Sequence, residues 1–178
     1  MPVSISVTPA RIEHYEPIVN YFLQGDLKFL NGMGVDPKKL PSRESWLAML
    51  HANHPKPNEE KTIFYVIWQL DGQPIGHSNI NKIIYGEEAY MHLHMWKADI
   101  RKQGLGLQFV RLSIPSYFNE FKLKKLFCEP YALNPSPNKT LKKLGFDFVK
   151  EYDTIPGLIS FHQPVNRWCL PADKFATW

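Results

Sequence analysis

The chain has 178 residues, of which 44% are hydrophobic, 21% charged and 13% aromatic. This excludes a disordered, collagen-like or low-complexity protein and suits one domain spanning residues 1–178. Twenty-one Lys and Arg against seventeen Asp and Glu leave a net charge of +4, gathered in short clusters at 122–125 and 139–143 that suit one small polyanion better than the long basic stripe of a nucleic-acid binder. Two cysteines, Cys128 and Cys169, exclude a disulfide framework or a zinc site built from cysteine pairs. No apolar run reaches the roughly 18 residues of a membrane span. The first residues, Met1-Pro2-Val3-Ser4, lack a basic region followed by an apolar one. The expectation is a soluble cytoplasmic protein with no nucleic-acid or membrane partner.

In chain order, residues 3–7 alternate as a strand. Ile12, Tyr15, Val19, Phe22 and Leu23 then recur at helical spacing, with Pro17 tolerable near the helix start. Residues 25–41 read as a loop, and Ser42 caps a second helix over residues 43–53. Residues 62–70, 74–84 and 88–96 are rich in β-branched and aromatic residues and are joined by Asp71-Gly72 and Gly86-Glu87 turns, which makes three antiparallel strands. Residues 107–121 have helical spacing, with Pro115 predicting a kink or break. A strand over 125–133 follows, then a helix over 137–144 capped by Ser136 and ended by Gly145, then strands over 146–152 and 158–163. The order βααβββαβαββ predicts an α/β (α+β) fold: a mixed, mostly antiparallel twisted sheet with helices on both faces, splayed after Trp96.

Alternation places Ala89, Met91, Leu93 and Met95 on one face of the third central strand and Tyr90, His92, His94 and Trp96 on the other. Its partner adds His77, Asn79 and Asn81 to the second face. A two-residue turn would set Asn79 opposite His94 and Asn81 opposite His92, so imidazoles and amides gather on a polar face.

Beyond this strand, Arg101-Lys102-Gln103-Gly104-Leu105-Gly106 opens a helix. Glycines there let main chain approach a ligand, and free helix N-terminal amides attract phosphate. The dinucleotide-binding Gly-x-Gly-x-x-Gly and the P-loop Gly-x-x-x-x-Gly-Lys are both absent. Asn134 stands at a strand end, and Gly145-Phe146 follows ten residues after it.

These residues resemble the GNAT superfamily of acyl-coenzyme A dependent N-acyltransferases. Arg101 to Gly106 is similar to that family's Arg/Gln-x-x-Gly-x-Gly/Ala pyrophosphate loop, and Asn134 with Gly145-Phe146 to its second signature. The element order is also similar, so the resemblance covers nearly the whole chain. It implies that acetyl-coenzyme A is the cosubstrate, with no metal. Arg101, Lys102, Gln103, Gly104, Leu105 and Gly106 would hold the pyrophosphate. Met95 and Trp96, at the end of the splayed strand, would bind the pantetheine arm, and Asn134 and Asn138 would reach the pantetheine or thioester side. Many members carry a tyrosine general acid seven residues after the asparagine, where this chain has Leu141, leaving Tyr131 and Ser136 as the nearest groups by sequence.

Transfer of acetyl to an amine calls for a base near pKa ~7. His92 is the candidate, held by Asn81 or Glu129, with His94 nearer the thioester. Asn79, Asn81 and Tyr131 are the substrate-facing candidates. Glu129 would orient His92 or meet the substrate ammonium. Arylalkylamine N-acetyltransferases are similar in a His-x-His pair whose second member falls at His92. Siderophore-type lysine N-acyltransferases are similar in a histidine there and a Glu-Pro-Asp, against Glu129-Pro130-Tyr131 here. RimJ/RimL-type enzymes are similar in the helix-loop-helix start. The acceptor is read as a primary amine of a small molecule or peptide, walled by residues 25–41 and 152–157, with Asp26, Asp36 and Asp153 to meet a cation. Family analogy implies a homodimer through the last strands. Two other readings stand beside the enzyme: a non-catalytic acyl-coenzyme A sensor, and a metal-dependent hydrolase using His77, His92 and His94.

Overall fold

The computed structural model describes residues 3–97, 99–100 and 104–178. In chain order the elements are β1 (Ile5–Pro9), α1 (Tyr15–Leu23), α2 (Leu27–Gly32), α3 (Arg43–Asn53), β2 (Ile63–Leu70), β3 (Gln73–Ile84) and β4 (Glu88–Met95). They continue with α4 (Leu105–Phe121), β5 (Lys125–Cys128), α5 (Pro135–Lys143), β6 (Asp147–Thr154), β7 (Gln163–Pro171) and α6 (Ala172–Phe175). The strands form one sheet in the order β1-β2-β3-β4-β5-β7-β6, antiparallel throughout except for the parallel β4–β5 pair. The expected mixed α/β architecture is the one observed.

One face of the sheet packs on α4 and α5 through Val66, Trp68, Ile80, Ala89, Met91, Leu126 and Leu170. Polar groups stitch this interface as well. Trp68 Nε1 donates to Ser113 Oγ at 3.0 Å, and the Ser78 and Tyr117 hydroxyls are bonded at 2.5 Å. The other face packs Tyr65 and Ile67 against Ile18, Phe22, Trp46 and Leu50 of α1 and α3. Helices therefore cover both faces, each burying an apolar stripe that neither layer could hide alone.

Several elements match the pattern read from the residues. The Ser42 hydroxyl accepts from Ser45 N and starts α3 at Arg43. Asp71 and Gly72 both take positive φ, 48° and 75°, the geometry of a two-residue hairpin turn. Others differ. Residues 25–41 are not a plain loop: Asp26 accepts from Phe29 N to cap α2, and Asp36 accepts from Lys38 N to cap a 3-10 turn. Both carboxylates are thus occupied as caps. α4 runs unbroken through Pro115. Pro115 is half-buried and Arg111 exposed, so the carbonyl that loses its donor can take water. α5 starts two residues earlier than expected, with Asn134 rather than Ser136 at its cap. Its end is a Schellman turn: Gly145, at φ 81°, donates to Lys142 O and Phe146 to Leu141 O, each at 3.1 Å. The last strand is β7, at 163–171, rather than residues 158–163.

The wall made by α2 and the turn after it is tied to β7. Val35 bridges Ser160, and buried Gln163 donates to Gly34 O at 2.7 Å and to Phe161 O at 3.0 Å. Gly34 has φ +80°, and a Cβ on it would sit 2.0 Å from Gln163 Oε1. Gly34→Ala is therefore expected to lower unfolding free energy by about 3 kcal/mol, since it adds backbone strain and displaces a buried amide. A urea midpoint unchanged from wild type would contradict this. Among the described residues no helix is long and apolar enough to cross a membrane.

Candidate functional site

The site is set by where β4 and β5 part. Their parallel pairing runs from Glu88↔Lys125 to Met91↔Cys128 and stops there, while β4 continues to Met95 against β3. The strands therefore separate after Met91, four residues before Met95 and earlier than the expected point at Trp96. Local chemistry explains this. Pro130 follows Glu129 and has no N–H to offer β4, and the chain swings toward β7 instead. Asn166 N donates to Pro130 O at 3.1 Å and Ala132 N to Pro164 O at 2.9 Å, and Tyr131 bridges Val165. At the last paired position Cys128 Sγ donates to Met91 O at 3.0 Å, with burial holding its thiol well above the ordinary range.

The β3–β4 register differs from a two-residue turn. The loop holds three residues, since Ile84 pairs with Glu88, and a bulge sits between Asn81 and Ile84. Together they slip the register by two, so His77 faces His94 and Asn79 faces His92. A slip of two preserves side-chain parity, and the polar face survives intact. Lys82, at the bulge, has φ 47°.

His92 is held from the neighbouring strand by a diagonal contact. The Asn81 carbonyl oxygen accepts from its Nε2–H at 3.1 Å, which leaves Nδ1 with the free lone pair. Burial, and then the Lys82 charge, lower its pKa to about 4, with Glu129 opposing. It is neutral at pH 7, but far from the base near 7 expected.

His94 does not share that position. Its ring lies 4.9 Å from Phe22, 5.5 Å from Tyr21 and 4.8 Å from His77. Burial drops its pKa to about 3, and its Nδ1 is buried without a partner. His77 is fully buried, accepts from Trp96 Nε1 at 2.8 Å, and has a pKa well below the usual value, again through burial. These two histidines belong to the packing under α1. Among the described residues no group of three His, Cys, Asp or Glu is placed to hold a metal.

Glu129 is buried and engaged by partners the sequence did not single out. Its Oε1 accepts from the Tyr152 hydroxyl and, at 2.5 Å, from Arg167 Nε. Arg167 Nη2 also donates to Tyr152 at 2.7 Å. Glu129 therefore orients Arg167 and Tyr152, and it reaches His92 only through its charge. Asn138 is saturated: it donates to Asn134 O at 2.8 Å and Tyr131 O at 3.2 Å, and accepts from Asn166 at 3.0 Å and Trp168 at 2.9 Å. Four internal bonds exhaust an amide, so the expected pantetheine contact gives way to pinning α5 on β7. Asn134 caps α5 with no side-chain bond of its own to the helix. Tyr131 packs edge-on to Phe161 at 5.7 Å. Leu141 is wholly buried in the core.

Of the phosphate loop, Arg101, Lys102 and Gln103 lie outside the described residues. Gly104 has φ +78° at the N-cap of α4, and the positions where a Cβ would stand on Gly104 and Gly106 are open. With no side-chain cap and no acid in the first turn, Leu105 and Gly106 begin a 17-residue helix whose N-terminal amides can receive a phosphate. Met95 ends β4, and Trp96 follows it just before this loop. Trp96 also lines, with Tyr21, Phe29 and Asp26, a cleft of about 460 Å³.

Solved structures share this frame. RimL, a ribosomal-protein alpha-N-acetyltransferase in complex with coenzyme A, superposes with TM-score 0.76 at 16% identity, over 97% of this chain and 98% of that one. Spermidine N-acetyltransferase from Vibrio cholerae, with coenzyme A and spermine, gives 0.75 at 14% over 97% and 98%. An aminoglycoside acetyltransferase with coenzyme A and kanamycin gives 0.72 at 14% over 98% of both chains. No functionally curated sequence relative matches. The family described as "Acetyltransferase (GNAT) domain" matches residues 5–147, which is most of the chain and carries both the parted strands and the glycine-opened helix; the chain therefore belongs to the GNAT family of acetyl-coenzyme A dependent acetyltransferases.

Proposed function

We propose that the protein transfers the acetyl group of acetyl-coenzyme A to a primary amine of a small molecule or peptide, by direct attack within a ternary complex. The observation that carries this is His92, held by Asn81 on the polar face at the mouth of the β4–β5 parting. An acetyl thioester lying in that gap meets an amine from the polar side. Taking a proton from a free ammonium of pKa ~10 to an imidazole near 4 costs roughly 8 kcal/mol. His92 therefore acts later, directly or through a water, once attack has placed positive charge on the nitrogen and made its proton far more acidic. The ammonium loses its first proton to solvent before attack.

Leu141 leaves no hydroxyl at the usual place of the general acid. A thiol of pKa ~8.5 is a good leaving group, and its thiolate can depart unprotonated. The same residue favours the second reading, a module that binds acyl-coenzyme A without turnover, and the two differ in one measurement. With acetyl-coenzyme A bound, release of free thiol on adding amines supports transfer. Binding with no thiol release from any amine supports the module. Gly104→Val tests the donor site: forcing a branched residue into a left-handed backbone at the phosphate cradle is expected to weaken acetyl-coenzyme A binding about tenfold or more. An unchanged calorimetric Kd would remove the loop from the site.

A further inference from the structure

The parting of β4 and β5 is flanked on its polar face by positive charge that the strand pattern alone would not place there. In an unbroken β3, Lys82 follows Asn81 and would point to the opposite face, into the α4 core. The bulge prevents this. Lys82 takes a left-handed φ of 47°, a conformation that costs a non-glycine residue about 1–2 kcal/mol, and its Nζ lies 5.0 Å from the Tyr90 ring centroid on the polar face. Bulges that re-aim a side chain in this way cluster at functional sites.

Around the same ring, where β4 and β5 are still paired, stands Arg167. Its guanidinium lies 5.7 Å from the Tyr90 ring, 5.5 Å from Phe127 and 5.1 Å from Tyr152. One edge is fixed by Glu129 and the Tyr152 hydroxyl, and a quarter of the side chain stays exposed. A guanidinium has five N–H donors, and these contacts use two. Glu129 is spent on Arg167, so it offers no counter-ion to a substrate ammonium. Glu88 lies at the closed end of the strand pair, opposite Lys125. Among the described residues, Lys82 and the outer edge of Arg167 are cations set around Tyr90 on the polar face that carries His92.

We infer that Lys82 and Arg167 form an anion subsite, and that the natural acceptor is an amine carrying a carboxylate or phosphate close to its amino group. This rests on the acetyl-transfer reading and narrows it. The two cations hold the anionic end, place the amine over the parting, and bias it toward its neutral, nucleophilic form. The same field repels polycations of the spermine or kanamycin kind.

The test compares matched amines with and without the anionic group, such as an amino acid, an aminoalkyl phosphate and the corresponding plain monoamine, together with a polyamine. Thiol release is followed at low and high salt. The anionic members should have kcat/KM at least tenfold above the plain amine at low salt, through KM, with the advantage shrinking as salt screens it. Lys82→Asn keeps a residue that tolerates left-handed backbone while removing the charge. It should cut the anionic-to-plain ratio about tenfold. Arg167→Lys, which keeps the charge beside buried Glu129 but loses the fork, should cut it as well. A plain amine or polyamine preferred over its anionic counterpart, or a ratio untouched by Lys82→Asn, overturns the subsite while leaving acetyl transfer standing. Acetyl-coenzyme A binding with no thiol release from any amine would bring down both.

Discussion

Acidification from pH 7 to pH 5 is expected to strip roughly 4 kcal/mol from the folding free energy through His92 and His94 alone, a large share of the ~5–15 kcal/mol typical of a domain. His77, His92 and His94 are all held neutral by burial, which lowers the pKa of His77 well below the ordinary range, that of His92 to about 4 and that of His94 to about 3. In the unfolded chain each returns to about 6.5. Between about 6.5 and the folded values the unfolded state binds more protons. Stability is therefore complete above pH ~6.5 and is lost as pH falls toward 4, His92 and His94 each costing about 2 kcal/mol by pH 5 and His77 acting in the same direction. Paired melts at pH 7 and pH 5 measure this, and equal stability at both would contradict the burial of these rings. His94→Phe supplies the control. Its ring already packs among Tyr21, Phe22 and His77, and removing the unpartnered Nδ1 should cost little at pH 7 while cutting the acid sensitivity by about 2 kcal/mol.

That cluster also shows what the residues alone could and could not reveal. Alternation along β3 and β4 put His77, Asn79, Asn81, His92 and His94 on one face, and parity survived because the longer turn and the bulge at Lys82 each added one residue. The identity of cross-strand partners did not survive, since a bulge carries no sequence signature beyond a residue willing to take left-handed φ. Which histidine would be packed and which would face the gap was equally hidden. It depends on α1 laying Tyr21 and Phe22 over His94, a contact between segments about 70 residues apart. The glycine-opened helix and the Asn134 to Gly145-Phe146 spacing were legible because each is a local backbone requirement.

The largest miss was β7. Prolines at both ends disguise it, although Trp168 and Leu170 alternate toward the core between them. Without that strand Arg167 had no neighbours, and Glu129 was left to be read as free for substrate. Its true partner comes from 38 residues away, beyond any spacing rule.

The largest effect on turnover is expected from His92→Ala. Loss of a positioned base typically lowers rate about 100-fold to 10,000-fold. Acetyl-coenzyme A binding should hardly change, because the loop before α4 belongs to a separate segment and His92 is tied to Asn81. With its pKa at about 4, His92 is already neutral across the working range. The wild-type rate should therefore climb with pH following the acceptor amine, with no inflection near 7 to mark a histidine. In His92→Ala the proton must pass to water or hydroxide, so the deficit should narrow as pH rises. Asn81→Ala, which frees the tautomer while keeping the ring, should lose rate by about tenfold and retain the wild-type profile. An unchanged rate and pH profile in His92→Ala would move the proton to bulk water, and the polar face at the mouth of the parting would then serve to bind the acceptor and not to deprotonate it.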